Sequence, residues 1–192
     1  MLQLEDASGF PRLSGALPRE LLHVIEFFRQ DETLAGAVLT GTEKCFAAGA
    51  EITEIAELDG LEATRFAARG QSVMRAIELS AKPVVAAIRG YCMGGGFDLA
   101  LACHARIASS DAMFAHRGAS LGLITGWGGT QRLTRVLGPS GRSLTLEWMT
   151  TGRSISAQEA YDVGLVSRIV PAQEVTEAAI AWVTDRRGGA PT

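Results

Sequence analysis

Apolar and polar positions fall in blocks along this chain, and the period changes from block to block. Pro18–Gln30 carries Leu21, Leu22, Val24, Ile25 and Phe28 at helical spacing, which predicts an amphipathic helix. Leu34–Thr40 (LAGAVLT) and Pro83–Ile88 are short, almost wholly apolar runs, which suit strands buried on both faces. Between them, Leu61–Leu79 sets Phe66, Val73, Met74 and Ile77 on one stripe, a long helix that stops before Pro83. Ala105–Ser109 and Leu165–Val170 read as strands, with a shorter one at Asp111–Phe114. Phe97–Ala102, Thr130–Leu137, Ser140–Thr150, Ser156–Val163 and Pro171–Arg187 read as helices. Arg89–Met93 reads as a turn, Cys45–Ile52 as a small-residue segment, Ala115–Gly129 as a glycine-rich loop and Gly188–Thr192 as a frayed end. Met1–Leu4 is too short to start a sheet convincingly. The pattern predicts one α/β domain over residues 1–192, built of strand–helix units with right-handed crossovers.

Composition narrows the function classes. Hydrophobic residues make up 47% and charged ones 20%, with a formal net charge of −3, an ordinary soluble composition with no basic footprint for nucleic acid. No apolar run approaches the roughly 18 residues that span a bilayer, and MLQLEDASGF lacks the basic and apolar regions of a signal peptide. Cys45, Cys92 and Cys103 show no CxxC spacing. Reduced thiols, a cytoplasmic location and no metal site are therefore expected.

The chemistry concentrates in KPVVAAIRGYCMGGGFDLALA, Lys82–Ala102. A buried strand delivers Gly94, Gly95 and Gly96 onto a helix start, where free N–H groups face a ligand oxygen and no Cβ blocks the approach. Asp98 follows on roughly the same helix face as Gly95. GGGFDL breaks the dinucleotide spacing at Leu99, so that fingerprint fails. Gly118–Gly122 matches G-x-S-x-G around Ser120. No helix start follows it, however, and His23, His104 and His116 all precede Ser120, so a serine-hydrolase triad fails too.

Four stretches carry a stronger signal: AVLTGTEKCFAAGAEITEI (Ala37–Ile55), Lys82–Ser109, LGLITGWGGTQRLTRVLG (Leu121–Gly138) and TGRSISAQEAYDVGLVSRIVP (Thr151–Pro171). Together, and in this order, they resemble the crotonase, or enoyl-CoA hydratase/isomerase, superfamily. The resemblance implies a β-β-α spiral, shortened here at both ends, that binds an acyl-CoA thioester as substrate with no separate cofactor. By motif position, the Ala50 and Gly95 amides would polarise the thioester carbonyl, and developing enolate charge is what such preorganised donors stabilise. Ala48, Glu51, Ile52 and Thr53 would border the CoA moiety. A homo-oligomer, a trimer or a dimer of trimers, is also implied.

The sequence departs from the family in its acid/base groups. Family hydratases use two glutamates; the first position is Asp98 here, and the second falls on Gly118. Hydration needs one group to activate water and another to manage the α-proton. Asp98 could act alone as an isomerase base, or His116 could replace the missing carboxylate, since a histidine titrates near neutral pH. Alternatively, Gly118 could open space for a substrate carboxylate or an anion, as in decarboxylating or condensing relatives. Naphthoate synthases carry glycine there, but with an aspartate where this chain has Thr125. A non-catalytic acyl-CoA-binding or assembly subunit is the remaining alternative. Asp98 could equally be a helix-dipole cap. Arg117 could attract a phosphate or carboxylate, and Tyr91 and Trp127 are expected in the core or pocket wall. The chain also starts within or after the family's first hairpin and stops before its last helices. Either a partner subunit or an open pocket is expected in their place.

Overall fold

The computed structural model describes residues 1–185; the expected frayed end, and the last residues of the Pro171–Arg187 helix, lie outside them. In chain order the elements are β1 (Leu2–Gln3), α1 (Leu17–Gln30), β2 (Ala37–Thr40), β3 (Cys45–Ala47), α2 (Ile52–Ala56) and α3 (Gly60–Glu78). Then come β4 (Val84–Ile88), β5 (Tyr91–Met93), α4 (Gly95–Ala102), β6 (Ala105–Ser109) and β7 (Met113–Ala115). The last are α5 (Gly129–Leu137), α6 (Arg142–Thr151), β8 (Ile155–Ser156), α7 (Ala157–Asp162), β9 (Arg168–Val170) and α8 (Val175–Asp185).

The strands form two sheets. The first, ordered β1-β2-β4-β6-β9, is parallel throughout. The second, ordered β3-β5-β7-β8, is parallel except for β8. Each turn of the spiral leaves the first sheet, bends, and continues in the second. The bend after β4 shows why the sequence reading saw only a turn at Arg89–Met93. Gly90 has φ +57, and a methyl group there would lie 2.0 Å from Lys44 O, so only glycine fits the corner. The three residues beyond it pair with β3 and β7 as a strand too short to show a period.

Alternation along β4 explains its wholly apolar sequence. Val84, Ala86 and Ile88 enter the main core, while Val85 and Ala87 pack with Val175, Ala179 and Val183 of α8 in a second one. Helix α3 starts with a capping box missed in sequence: Glu62 N–H donates to Asp59 at 2.8 Å, and Asp59 N–H donates to Glu62 at 3.2 Å. Helix α4 is apolar all round and buried along almost its whole length, so the carboxylate of Asp98 stands in the interior.

Candidate active site

Gly94, which precedes α4, sits at φ +52, ψ −121, a conformation that side-chain-bearing residues avoid. Its N–H donates to Ala115 O at 2.9 Å, tying the turn to the end of β7. Gly95 is the first residue of α4, so its amide has no acceptor within the helix. The loop after β3 comes up against it: Gly49 has φ +89, and a methyl group there would lie 2.8 Å from Gly95 N and 2.9 Å from Met93 O. Leu13 N–H donates to Gly49 O and Ala48 N–H to Pro11 O, both at 2.8 Å, which hold this loop from its other side. The fold thus brings half-buried Ala50 beside the start of α4, two segments 45 residues apart. Of the residues expected to border CoA, Ala48 is half-buried, and Ile52 and Thr53 are exposed on α2. Glu51 forms an ion pair with Arg12 at 2.8 Å.

Asp98 is fully buried. The Thr125 hydroxyl donates to its Oδ2 and accepts from Trp127 N–H at 3.2 Å. His116 Nε2 lies 3.6 Å from the other carboxylate oxygen, Oδ1. Neither of these facing atoms has a hydrogen-bond partner among the described residues. Gly129 closes the remaining side, since a methyl group there would fall 1.8 Å from Oδ1. The carboxylate therefore serves its neighbours across the site rather than the first-turn amides of α4, against the capping alternative.

Position 118 corrects one expectation. The glycine opens no space: an added Cβ would meet Leu123 O at 2.8 Å and the His116 ring at 3.3 and 3.4 Å. The imidazole stands beside the point from which a family carboxylate would extend. Tyr91 is also corrected, because it is 49% exposed and pairs with Phe10 at 6.3 Å between ring centroids. Arg117 is exposed and bonds to Ser154 Oγ at 3.2 Å. Trp127 is buried, with its ring directly over Gly95. Thr125 as the partner of Asp98, and Gly129 as its wall, carry no sequence signal, because the contact joins positions 27 residues apart.

The enoyl-CoA hydratase/isomerase family model matches residues 3–189. This chain belongs to the enoyl-CoA hydratase/isomerase family. It is 39% identical to the short-chain-enoyl-CoA hydratase of Clostridium acetobutylicum over 162 residues, 84% of this chain and 61% of that protein. It is 38% identical to the crotonyl-CoA hydratase of Syntrophomonas wolfei over 170 residues, 86% of this chain and 64% of that one. The crystal structure of an enoyl-CoA hydratase from Bacillus anthracis superimposes with a TM-score of 0.90 at 35% identity, covering 98% of this chain and 72% of that one. The chain thus spans about six-tenths of the length of these curated relatives. Within the enoyl-CoA hydratase/isomerase fold, this member has Asp98 and Gly118 where the resemblance implies two glutamates, and the His116 ring stands beside Gly118.

Proposed function

We propose that the chain binds an acyl-CoA thioester and hydrates its enoyl double bond, with Asp98 and His116 as the acid/base pair. The observation that carries this reading is the facing of Asp98 Oδ1 and His116 Nε2, 3.6 Å apart, both buried and otherwise unpartnered. In the proposed cycle Asp98 takes a proton from water as the oxygen bonds to the β-carbon. The π electrons move onto the thioester oxygen, where the Ala50 and Gly95 amides stabilise the enolate, an effect worth about 3 kcal/mol per donor in comparable sites. Protonated His116 then delivers its proton to the α-carbon, and Asp98 returns one to His116. The separation of the two groups suits that last transfer after a small movement.

Complete burial of Asp98 favours one second reading, an acyl-CoA-binding subunit without turnover. Mixing the protein with crotonyl-CoA and following loss of the conjugated thioester absorbance, beside a binding titration, separates the two. Turnover that disappears in Asp98→Asn and falls in His116→Ala supports the enzyme. Saturable binding with no turnover supports the subunit. A homo-oligomer is part of the proposal, supported by the exposed apolar side chains of Leu121, Leu123 and Ile124 beside the site. Sedimentation velocity tests it, and a monomer at micromolar concentration removes it. Three buried, unpaired cysteines support a reducing compartment.

A further inference from the structure

The indole of Trp127 occupies an unusual place. It lies between two helices that both present glycine to it. A methyl group on Gly95 would come within 2.4 Å of Trp127 Cζ3, and one on Gly70 of α3 within 2.1 Å of its Nε1. Phe66 closes another side, its ring centroid 5.2 Å from that of the indole. Two gaps beside the ring hold at most about 10 Å³, roughly the room for one water; a third space that it borders, about 480 Å³, is lined by Arg75, Glu78 and Arg132 among others and not by Gly95. The main chain of Trp127 is fastened at both ends, its N–H to Thr125 Oγ1 at 3.2 Å and its carbonyl to Arg132 Nη1 at 2.8 Å. These bonds fix the segment from which the ring projects, and packing on Phe66, Gly70 and Gly95 holds the ring itself.

We infer that Trp127 is a chain-length stop, filling the space beyond the Gly95 amide and limiting this protein to short acyl thioesters. The inference rests on the acyl-thioester reading above, since it assumes that the carbonyl docks at Gly95. An acyl group running on from that point meets the indole first. Extending it by several methylenes requires displacing an aromatic ring packed on Phe66, Gly70 and Gly95. The specificity sits in one side chain, because glycine at 70 and 95 leaves the notch that the ring fills.

The test is calorimetric titration with butyryl-CoA and octanoyl-CoA, saturated thioesters that cannot be hydrated. The wild type binds butyryl-CoA at least about tenfold more tightly than octanoyl-CoA, a modest demand for a pocket that excludes several methylenes. Trp127→Ala shifts that ratio toward octanoyl-CoA by at least about tenfold. Trp127→Phe keeps an aromatic partner for Phe66, and shifts the ratio part of the way even if the alanine variant does not fold. Equal affinity of the wild type for both thioesters, or a ratio unmoved in the folded variants, overturns the inference and leaves the acyl-thioester reading standing. Failure of the wild type to bind either thioester overturns both.

Discussion

At the scale of single residues, the site is governed by which groups share Asp98. Thr125 supplies a hydrogen bond to one oxygen, and His116 faces the other. Replacing Thr125 with valine keeps the shape and removes the donor from a buried carboxylate, at a cost of about 1–3 kcal/mol. Thr125→Val is expected to lower kcat for crotonyl-CoA about tenfold to a hundredfold with little change in KM; an unchanged kcat would show that the hydroxyl does not tune Asp98. Restoring the family residue is expected to fail. Gly118→Glu places a side chain 2.8 Å from Leu123 O and against the His116 ring, and overpacking of this kind costs about 1–3 kcal/mol. A lower midpoint in urea and no gain in turnover are the expected results; a gain in turnover would mean that the segment reshapes to admit the glutamate.

At the scale of elements, α4 is held at its far end by a buried arginine. Arg106 of β6 donates from Nη1 to Ala100 O at 3.1 Å and Cys103 O at 2.8 Å, and from Nε to Leu165 O at 2.6 Å. Burial pushes its guanidinium below the ordinary arginine value. Its positive charge lies at the C-terminal end of α4, where the helix dipole favours it, and its bonds join that end to the segment leading into β9. Arg106→Leu removes a donor from three buried carbonyls, of which Ala100 O keeps the Cys103 N–H at 3.2 Å, and is expected to cost on the order of 3 kcal/mol, read as a shift in the urea midpoint with an unchanged m-value. A midpoint within error of the wild type would mean that the carbonyls find other donors. The strands show why this architecture was only partly legible. Runs such as Val84–Ile88 announce themselves by composition, whereas β3, β5 and β8 are two or three residues long and exist by pairing across the second sheet.

At the scale of the whole molecule, the core sets the response to alkali. Burial pushes the Cys103 thiol from 9.0 up to about 12, and lifts Cys92 well above its ordinary value. Below pH 9 Cys103 is neutral whether the chain is folded or unfolded, and its contribution is fully present. Between pH 9 and about 12 the unfolded chain releases a proton that the folded chain keeps. Stability then falls by up to about 1.4 kcal/mol per pH unit for this group. Cys103→Ala is expected to flatten the decline in urea midpoint above pH 9; an equal slope in both proteins would assign it to other groups. The sequence by itself determined the apolar strands, the long amphipathic helices, the glycine turn before α4 and the family likeness, because each is written in local spacing and residue type. Only the tertiary structure decided that His116, Thr125 and Gly129 surround Asp98 and that Trp127 covers Gly95. Those contacts join positions far apart in the chain, and they are fixed by the corner at Gly90 and the stacking of two sheets rather than by any local period.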